Sequence, residues 1–218
     1  MNNFEAGITG SLFLAAALML YFGWILLPVK IGKFFVQTDF ADVLACRRKW
    51  IWLYRIYLFG YVAAVMAFVA LTTLITEPAA RIIVWPAVAV LVSGLVMTAL
   101  AYAFYYHFGA WGASEMKDKS SEDVDKYIAS LRVSTEYITC WVRFGRIFIG
   151  VGQLVFALGL LLQAGPWPMW LLVSGGVLGV TGIALTLEWP DNLDYYKPLF
   201  YLDVLWLAIL GVALITIS

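Results

Sequence analysis

Charged residues are scarce in this chain. Lysine, arginine, aspartate and glutamate make up 13% of its 218 residues, whereas an ordinary soluble domain has about 25%. Hydrophobic residues make up 63% of the chain, well above the about 45–50% of a soluble domain. This combination excludes a soluble globular domain and a disordered segment. The formal net charge is zero, so charge gives no reason to expect a nucleic-acid partner.

Cysteine and histidine are also nearly absent. The chain has two cysteines, Cys46 and Cys140, and a single histidine, His107. The cysteines fit no metal-ligand spacing, and one histidine cannot form a bis-histidine haem site or a multi-histidine metal centre. Redox chemistry carried by this chain alone is therefore not expected, and the identity of any cofactor stays open.

Long apolar stretches are what the chain has instead. About 20 helical residues cross a hydrocarbon core of roughly 30 Å, and only helices or closed barrels satisfy their backbone there. We predict a single all-α domain over residues 1–218, a polytopic transmembrane helix bundle of six spans with a cytoplasmic amphipathic helix. The predicted spans are residues 8–29, 51–76, 82–106, 142–163, 167–187 and 199–217, and the polar connections are residues 30–50, 107–141 and 188–198.

Basic residues fall almost entirely on one side of these spans. If the spans alternate in direction, residues 29–55, residues 107–146 and the turn with Lys197 share a side, and they contain every lysine and arginine except Arg81. Basic connections stay in the cytoplasm. We therefore expect a multi-pass protein of the plasma membrane (the inner membrane in a bacterium), with both termini on the non-cytoplasmic side.

The second polar connection carries a helix-start pattern. Ser120 and Ser121 precede Glu122 and Asp123, as at many helix N-termini, and apolar residues then recur near helical spacing. This pattern predicts an amphipathic helix over residues 121–146 that continues into the fourth span. It would pack against the protein's own first connection or against a partner subunit.

Basic side chains near the span ends are candidates for contact with lipid headgroups or another anionic ligand, because their long stems reach the interface. Arg143 and Arg146 would snorkel or pair with Glu136, Glu188 or Asp203. The candidates are Lys30, Lys33, Arg47, Arg48, Arg55, Arg143 and Arg146.

Acidic residues form a second candidate set on the same predicted side, consisting of Asp191, Asp194 and Asp203. Several carboxylate oxygens could hold Mg²⁺ and a lipid diphosphate. Roles in turn formation and helix capping explain the same residues. Whether this cluster binds a metal is left open by the sequence.

The centres of the predicted spans lack ionisable residues, which would mark an ion or substrate path. Asp203 is expected one turn into the sixth span, and Gln153 and Gln163 are the larger polar side chains. Proton-coupled transport through a buried carboxylate is therefore disfavoured, while a passive or aromatic-lined route stays open.

Small residues four apart predict close helix packing in two spans. They are Gly94 with Thr98 in the third span, and Gly175 with Gly179 in the fifth. A glycine kink that lines a substrate cavity is the alternative interpretation.

An aromatic patch ends the third span, consisting of Tyr102, Tyr105, Tyr106, His107 and Trp111. Aromatic residues are typical of the membrane interface, and a site for a headgroup, a quinone or another flat ligand is the alternative.

No family of proteins is evident from these motifs. The first functional hypothesis is a non-catalytic membrane subunit, a helical scaffold or accessory subunit of a larger complex. The alternatives are a small transporter or channel with three-plus-three inverted topology and a metal-dependent lipid enzyme at the cytoplasmic face. Expected partners are membrane lipids and either other membrane subunits or further copies of the chain.

Overall fold

The computed structural model describes residues 3–25, 45–163 and 167–217. Within these ranges the protein contains six long helices and no strand. All six are long and apolar enough to cross a membrane, so the all-helical part of the prediction is confirmed. Lys30 and Lys33 lie outside the described residues, as do most of the first predicted connection and residues 164–166.

The helices are numbered in chain order. They are α1 (Asn3–Ile25), α2 (Arg47–Thr72), α3 (Pro78–Phe104), α4 (Ser121–Leu160), α5 (Met169–Glu188) and α6 (Leu193–Ile217). After α3 the chain continues as a π-helical segment, Tyr105–Trp111, and a last α-helical turn, Gly112–Glu115.

The polar second connection leads into one continuous helix of 40 residues, α4. The hydroxyl of Ser120 accepts a hydrogen bond from the backbone N–H of Asp123 at 3.2 Å, and thus satisfies one of the free donors at the helix start. Glu122 and Asp123 lie in the first turn, where negative charge is favourable. The start of α4 is therefore fixed by short-range contacts.

The turn before α6 is shorter than predicted. The N–H of Asn192 donates to the carbonyl oxygen of Trp189 at 3.2 Å, and the side chain of Asn192 accepts from the N–H of Asp194 at 3.1 Å. These bonds close the turn and begin α6 at Leu193 rather than near residue 199. Asp203 consequently lies near the middle of α6, while its distance from the start of the sixth membrane span stays a prediction.

The six helices form a ring. Each helix packs against its neighbours in the sequence, and α6 packs against α1. The connection between α3 and α4 and the turn between α5 and α6 lie at the same end of the ring, which we call the polar end. There the hydroxyl of Tyr127 donates to the carbonyl oxygen of Phe108 at 2.8 Å.

Glycine pairs mark the closest helix approaches in the ring. The pairs are Gly94 with Gly145, Gly150 with Gly179, and Gly10 with Gly211. At the first pair, a Cβ atom on Gly94 would lie 2.5 Å from the carbonyl oxygen of Gly145. The missing side chains therefore let the backbones of α3 and α4 meet directly.

Four aromatic side chains fill the interior of the helix ring in the half away from the polar end. Phe68 contacts Phe13 and Phe156 edge to face, with centroids 5.0 and 5.6 Å apart. Trp206 packs on Phe156, and its indole N–H donates to the carbonyl oxygen of Leu171 at 2.9 Å. We call Phe13, Phe68, Phe156 and Trp206 the aromatic floor.

Candidate functional site

A cavity of about 430 Å³ lies inside the helix ring between the aromatic floor and the polar end. Phe68 and Trp206 border it on the floor side, and the exposed residues Asp194 and Lys197 border it at the polar end. The cavity thus extends from the aromatic floor to exposed residues at the polar end. Sites for small organic ligands usually have about 300–1,000 Å³, so this cavity has room for one such molecule.

Tyrosine rings from α2, from α3 and from the π-helical segment form one wall of the cavity. The ring of Tyr102 stacks on Tyr57, with centroids 4.8 Å apart and planes 13° apart, and on Tyr61, with centroids 5.6 Å apart, and Tyr57 and Tyr61 stack on each other at 6.4 Å. Tyr54 and Tyr105 stack beside them at 6.4 Å. Side chains three and four residues apart share a helix face, which is why Tyr54, Tyr57 and Tyr61 all point to the same side of α2.

The hydroxyl of Tyr57 is a buried polar group in this wall. The residue is 1% exposed, and its ring packs against Gly23, where an added Cβ would lie 3.3 Å from the ring. Its phenolic oxygen is buried and has no hydrogen-bond partner among the described residues. A buried hydroxyl left without a partner costs about 1–3 kcal/mol, so a polar ligand atom at this point would be stabilising.

Polar side chains from α4 and α6 line the cavity as well. The side-chain N–H of Gln153 donates to Asp203 at 3.2 Å. Arg146 lies seven residues before Gln153 on α4, and Tyr196 lies seven residues before Asp203 on α6, so both are nearer the polar end. Arg146 donates to the carbonyl oxygen of Pro190 at 3.0 Å, and its guanidinium carbon lies 3.8 Å from the ring centroid of Tyr196. Because a helix rises about 1.5 Å per residue, the Cα atoms of Arg146 and Gln153 are roughly 10 Å apart along α4.

The hydroxyl of Tyr196 is itself held in place. It donates to the carbonyl oxygen of Gly182 at 3.1 Å and forms a hydrogen bond with the hydroxyl of Thr186. The aromatic surface under Arg146 is thereby fixed to α5.

The predicted acidic residues have different surroundings. Asp191 forms an ion pair with Arg143, with Nε donating to Oδ1 at 3.1 Å. Asp194 is exposed at the polar end, and Asp203 lies deep in the cavity beside Gln153. Among the described residues, no three histidine, cysteine, aspartate or glutamate side chains are grouped so that they could hold a metal ion.

The predicted basic residues also separate. Arg146 lines the cavity, whereas Arg55 donates to the hydroxyl of Tyr106 at 2.9 Å. Arg47 lies over the ring of Trp111, 5.0 Å from its centroid, and Arg48 is exposed. For Arg143 the observed partner is Asp191 and not one of the three expected acidic residues.

The predicted packing residues lie at helix contacts. The hydroxyl of Thr98 donates to the carbonyl oxygen of Gly94 at 2.9 Å, and both residues face α4 near Gly145. Gly179 packs on α4, but an added Cβ on Gly175 would lie 2.6 Å from the ring of Trp206 on α6. The two glycines of α5 therefore serve two different interfaces.

Most of the tyrosine wall lies outside the aromatic patch predicted from the sequence. Of that patch, Tyr102 and Tyr105 lie at the cavity, while His107 and Trp111 are exposed. The tyrosines of α2 were not predicted as site residues, although their spacing of three and four residues indicates a shared helix face.

Comparisons of the chain with protein-family models, with curated proteins and with solved structures give no match. We therefore infer the function from the site itself.

Proposed function

We propose that this protein is a membrane-embedded binding protein that carries a small amphiphilic molecule in the cavity of its helix ring. Six helices have the length and composition of membrane spans. Large apolar side chains such as Leu18, Phe59 and Val177 are more than half exposed on the ring. Contact of these apolar side chains with lipid chains costs no free energy, whereas their contact with water is unfavourable. By the distribution of basic residues, the polar end would face the cytoplasm.

The cavity is the observation that carries the proposal. A helical scaffold has no need of an internal space, because tight packing would make it more stable. The wall of tyrosine rings suits a flat apolar body, and Gln153, Asp203 and Arg146 supply polar contacts at two depths. A few polar groups in a mostly apolar cavity are typical of small-molecule sites.

Transport is the function that this arrangement favours. The cavity borders the polar end and stops at the aromatic floor, as expected for a carrier that is open to one side. Carriers often bind their substrate near the middle of the membrane, where two halves of the chain meet. In the proposed three-plus-three arrangement, α1 to α3 would form one half and α4 to α6 the other.

A pair of glycine variants in α5 tests ligand binding. Gly182 lines the cavity and has room for a Cβ, whose nearest neighbour would be Leu199 at 3.6 Å. Gly182→Leu should fill part of the cavity. Gly176 also has room, with Leu154 at 3.6 Å, but it borders an outer groove between α4 and α5, so Gly176→Leu is the matched control.

The probe is para-methylbiphenyl together with its charged analogues, N-methyl-para-phenylpyridinium and para-phenylbenzoate. Binding to the purified full chain in lipid nanodiscs would be measured by quenching of tryptophan fluorescence. Binding should also raise the unfolding temperature, because a ligand stabilises the state that it binds. We expect at least one probe to bind, with affinity reduced at least tenfold by Gly182→Leu and unchanged by Gly176→Leu. If none of the three binds, or if both variants bind alike, the proposal fails.

A scaffold or accessory subunit is the second proposal. The apolar outer groove between α4 and α5, lined by residues such as Leu158, Val173 and Val177, would suit a helix of another membrane subunit. Purification in native lipid should then yield stable partner subunits, and a protein that runs alone as a small homo-oligomer would count against this role. For the lipid-enzyme hypothesis, the described residues contain no group of three or more histidine, cysteine, aspartate or glutamate side chains that could hold a metal ion.

A further inference from the structure

Asp203 is a carboxylate in the middle of an apolar helix ring. It belongs to the cavity lining, and its described hydrogen bond comes from Gln153 at 3.2 Å. Gln153 is a neutral amide, so it donates a hydrogen bond to the carboxylate but adds no positive charge. A carboxylate at this depth in a membrane protein is costly unless a proton or a cation accompanies it, and such residues often mark a substrate path.

Arg146 belongs to the part of the cavity nearer the polar end. Its guanidinium lies on the ring of Tyr196 and donates to Pro190. By helical rise, the Cα atoms of Arg146 and Tyr196 lie roughly 10 Å nearer the polar end than those of Gln153 and Asp203. Lys197, the other basic residue among the described residues of the lining, is exposed at the polar end. Among these described residues, Asp203 is therefore the charged residue placed deepest in the cavity.

The same deep part is rich in aromatic rings. Tyr57, Tyr61 and Tyr102 stack along one wall, and Trp206 of the floor lies one helical turn beyond Asp203. The face of an aromatic ring carries a negative quadrupole that attracts cations within about 6 Å. The buried hydroxyl of Tyr57, which has no partner among the described residues, is a further acceptor for an ammonium N–H.

We infer that the cavity binds an organic cation with a flat apolar body, with Asp203 as its counter-charge and the tyrosine wall against its ring. This inference rests on the proposed function and specifies its ligand class, a protonated amine or a quaternary nitrogen on a hydrophobic group. An anionic ligand held by Arg146 is the competing case, and the same experiment decides between them.

The three biphenyl-sized probes differ almost only in charge, so they isolate the contribution of the carboxylate. In the unaltered full chain we expect N-methyl-para-phenylpyridinium to bind at least tenfold more tightly than neutral para-methylbiphenyl. A tenfold difference corresponds to about 1.4 kcal/mol. The anion para-phenylbenzoate should bind more weakly than the neutral probe.

Two variants then assign the effect to Asp203. Asp203→Asn keeps the size of the side chain and removes its charge, so the preference for the cation should disappear while the affinity for the neutral probe changes less than threefold. Asp125→Asn removes a carboxylate from an exposed position in the polar part of α4, and the preference should remain in this control.

Several results would overturn the inference. Equal binding of the cation and the neutral probe would do so, as would tighter binding of the anion or a cation preference retained by Asp203→Asn. In these cases the cavity still binds a ligand and the proposed function stands, whereas binding of no probe at all contradicts the proposed function itself. Since the comparison of the three probes needs only the unaltered protein, the inference stays testable if Asp203→Asn does not fold.

Discussion

The close approach of α3 and α4 predicts how the chain responds to a single added methyl group. In Gly94→Ala the new Cβ would lie 2.5 Å from the carbonyl oxygen of Gly145 and 2.7 Å from the backbone nitrogen of Ile149. Both neighbours are backbone atoms, so no side chain can rotate away and the helices must separate. Overpacking of this kind costs about 1–3 kcal/mol.

Gly176→Ala is the matched control for this prediction. Its new Cβ would have its nearest neighbours at 3.6 and 3.9 Å, on Leu154 and Ala157, which is ordinary contact. Both substitutions gain about 0.5–1 kcal/mol, because alanine has less conformational freedom to lose in a helix than glycine. That gain cancels in the comparison, so Gly94→Ala should be less stable than Gly176→Ala by about 1–3 kcal/mol.

The measurement is the free energy of unfolding of each variant in mixed micelles, with increasing denaturing detergent and helix content followed by circular dichroism. Gly176→Ala should be slightly more stable than the unaltered protein. A Gly94→Ala protein as stable as Gly176→Ala would refute the argument, because it would show that α3 and α4 are not in backbone contact at this point.

Four further substitutions, used in three experiments, test local contacts. Ser120→Ala removes the N-cap of α4 and should lower local stability by about 1 kcal/mol, seen as faster amide exchange in the first turn only; slower exchange there would contradict the cap. The side chains of Arg143 and Asp191 are 42% and 50% exposed. A double-mutant cycle of Arg143→Ala and Asp191→Asn should therefore give a coupling free energy of about 0.2–1 kcal/mol. A coupling above about 2 kcal/mol would contradict this, because it would show a buried pair. Gln163→Ala removes the acceptor of the N–H of Thr76 at 3.2 Å and should speed amide exchange at Thr76, which unchanged exchange would disprove.

The six helices could be predicted because their evidence is local. Long apolar runs mark a helix that must bury its backbone groups, and short-range signals fix some of the ends. Ser120 begins α4 through its own hydroxyl, and Pro78, which cannot donate a backbone hydrogen bond, stands at the first position of α3 after Glu77. Membrane insertion and orientation remain predictions from composition and charge.

The ring could not be predicted, because its closure depends on residues far apart in the chain. Gly10 of α1 and Gly211 of α6 contact each other near opposite ends of the sequence, and neither has a neighbour in the sequence that identifies the other. The spacing of Gly175 and Gly179 indicated one packing face, yet each glycine contacts a different helix. A helix in a ring lies between two neighbours, so one face of small residues can serve both.

The position of Asp203 shows why the cavity could not be predicted from the sequence either. Residues 199–217 are the most apolar part of the last helix, so hydropathy set the start of the predicted span there and placed Asp203 near its edge. The helix itself starts earlier than that predicted span, because Asn192 closes a turn and α6 begins at Leu193. The partner of Asp203, Gln153, comes from another helix, and its own sequence neighbours are apolar. Each of these two polar residues is visible in the sequence, but their pairing forms only when the two apolar helices meet, so neither helix alone indicates the pair or the cavity that it lines.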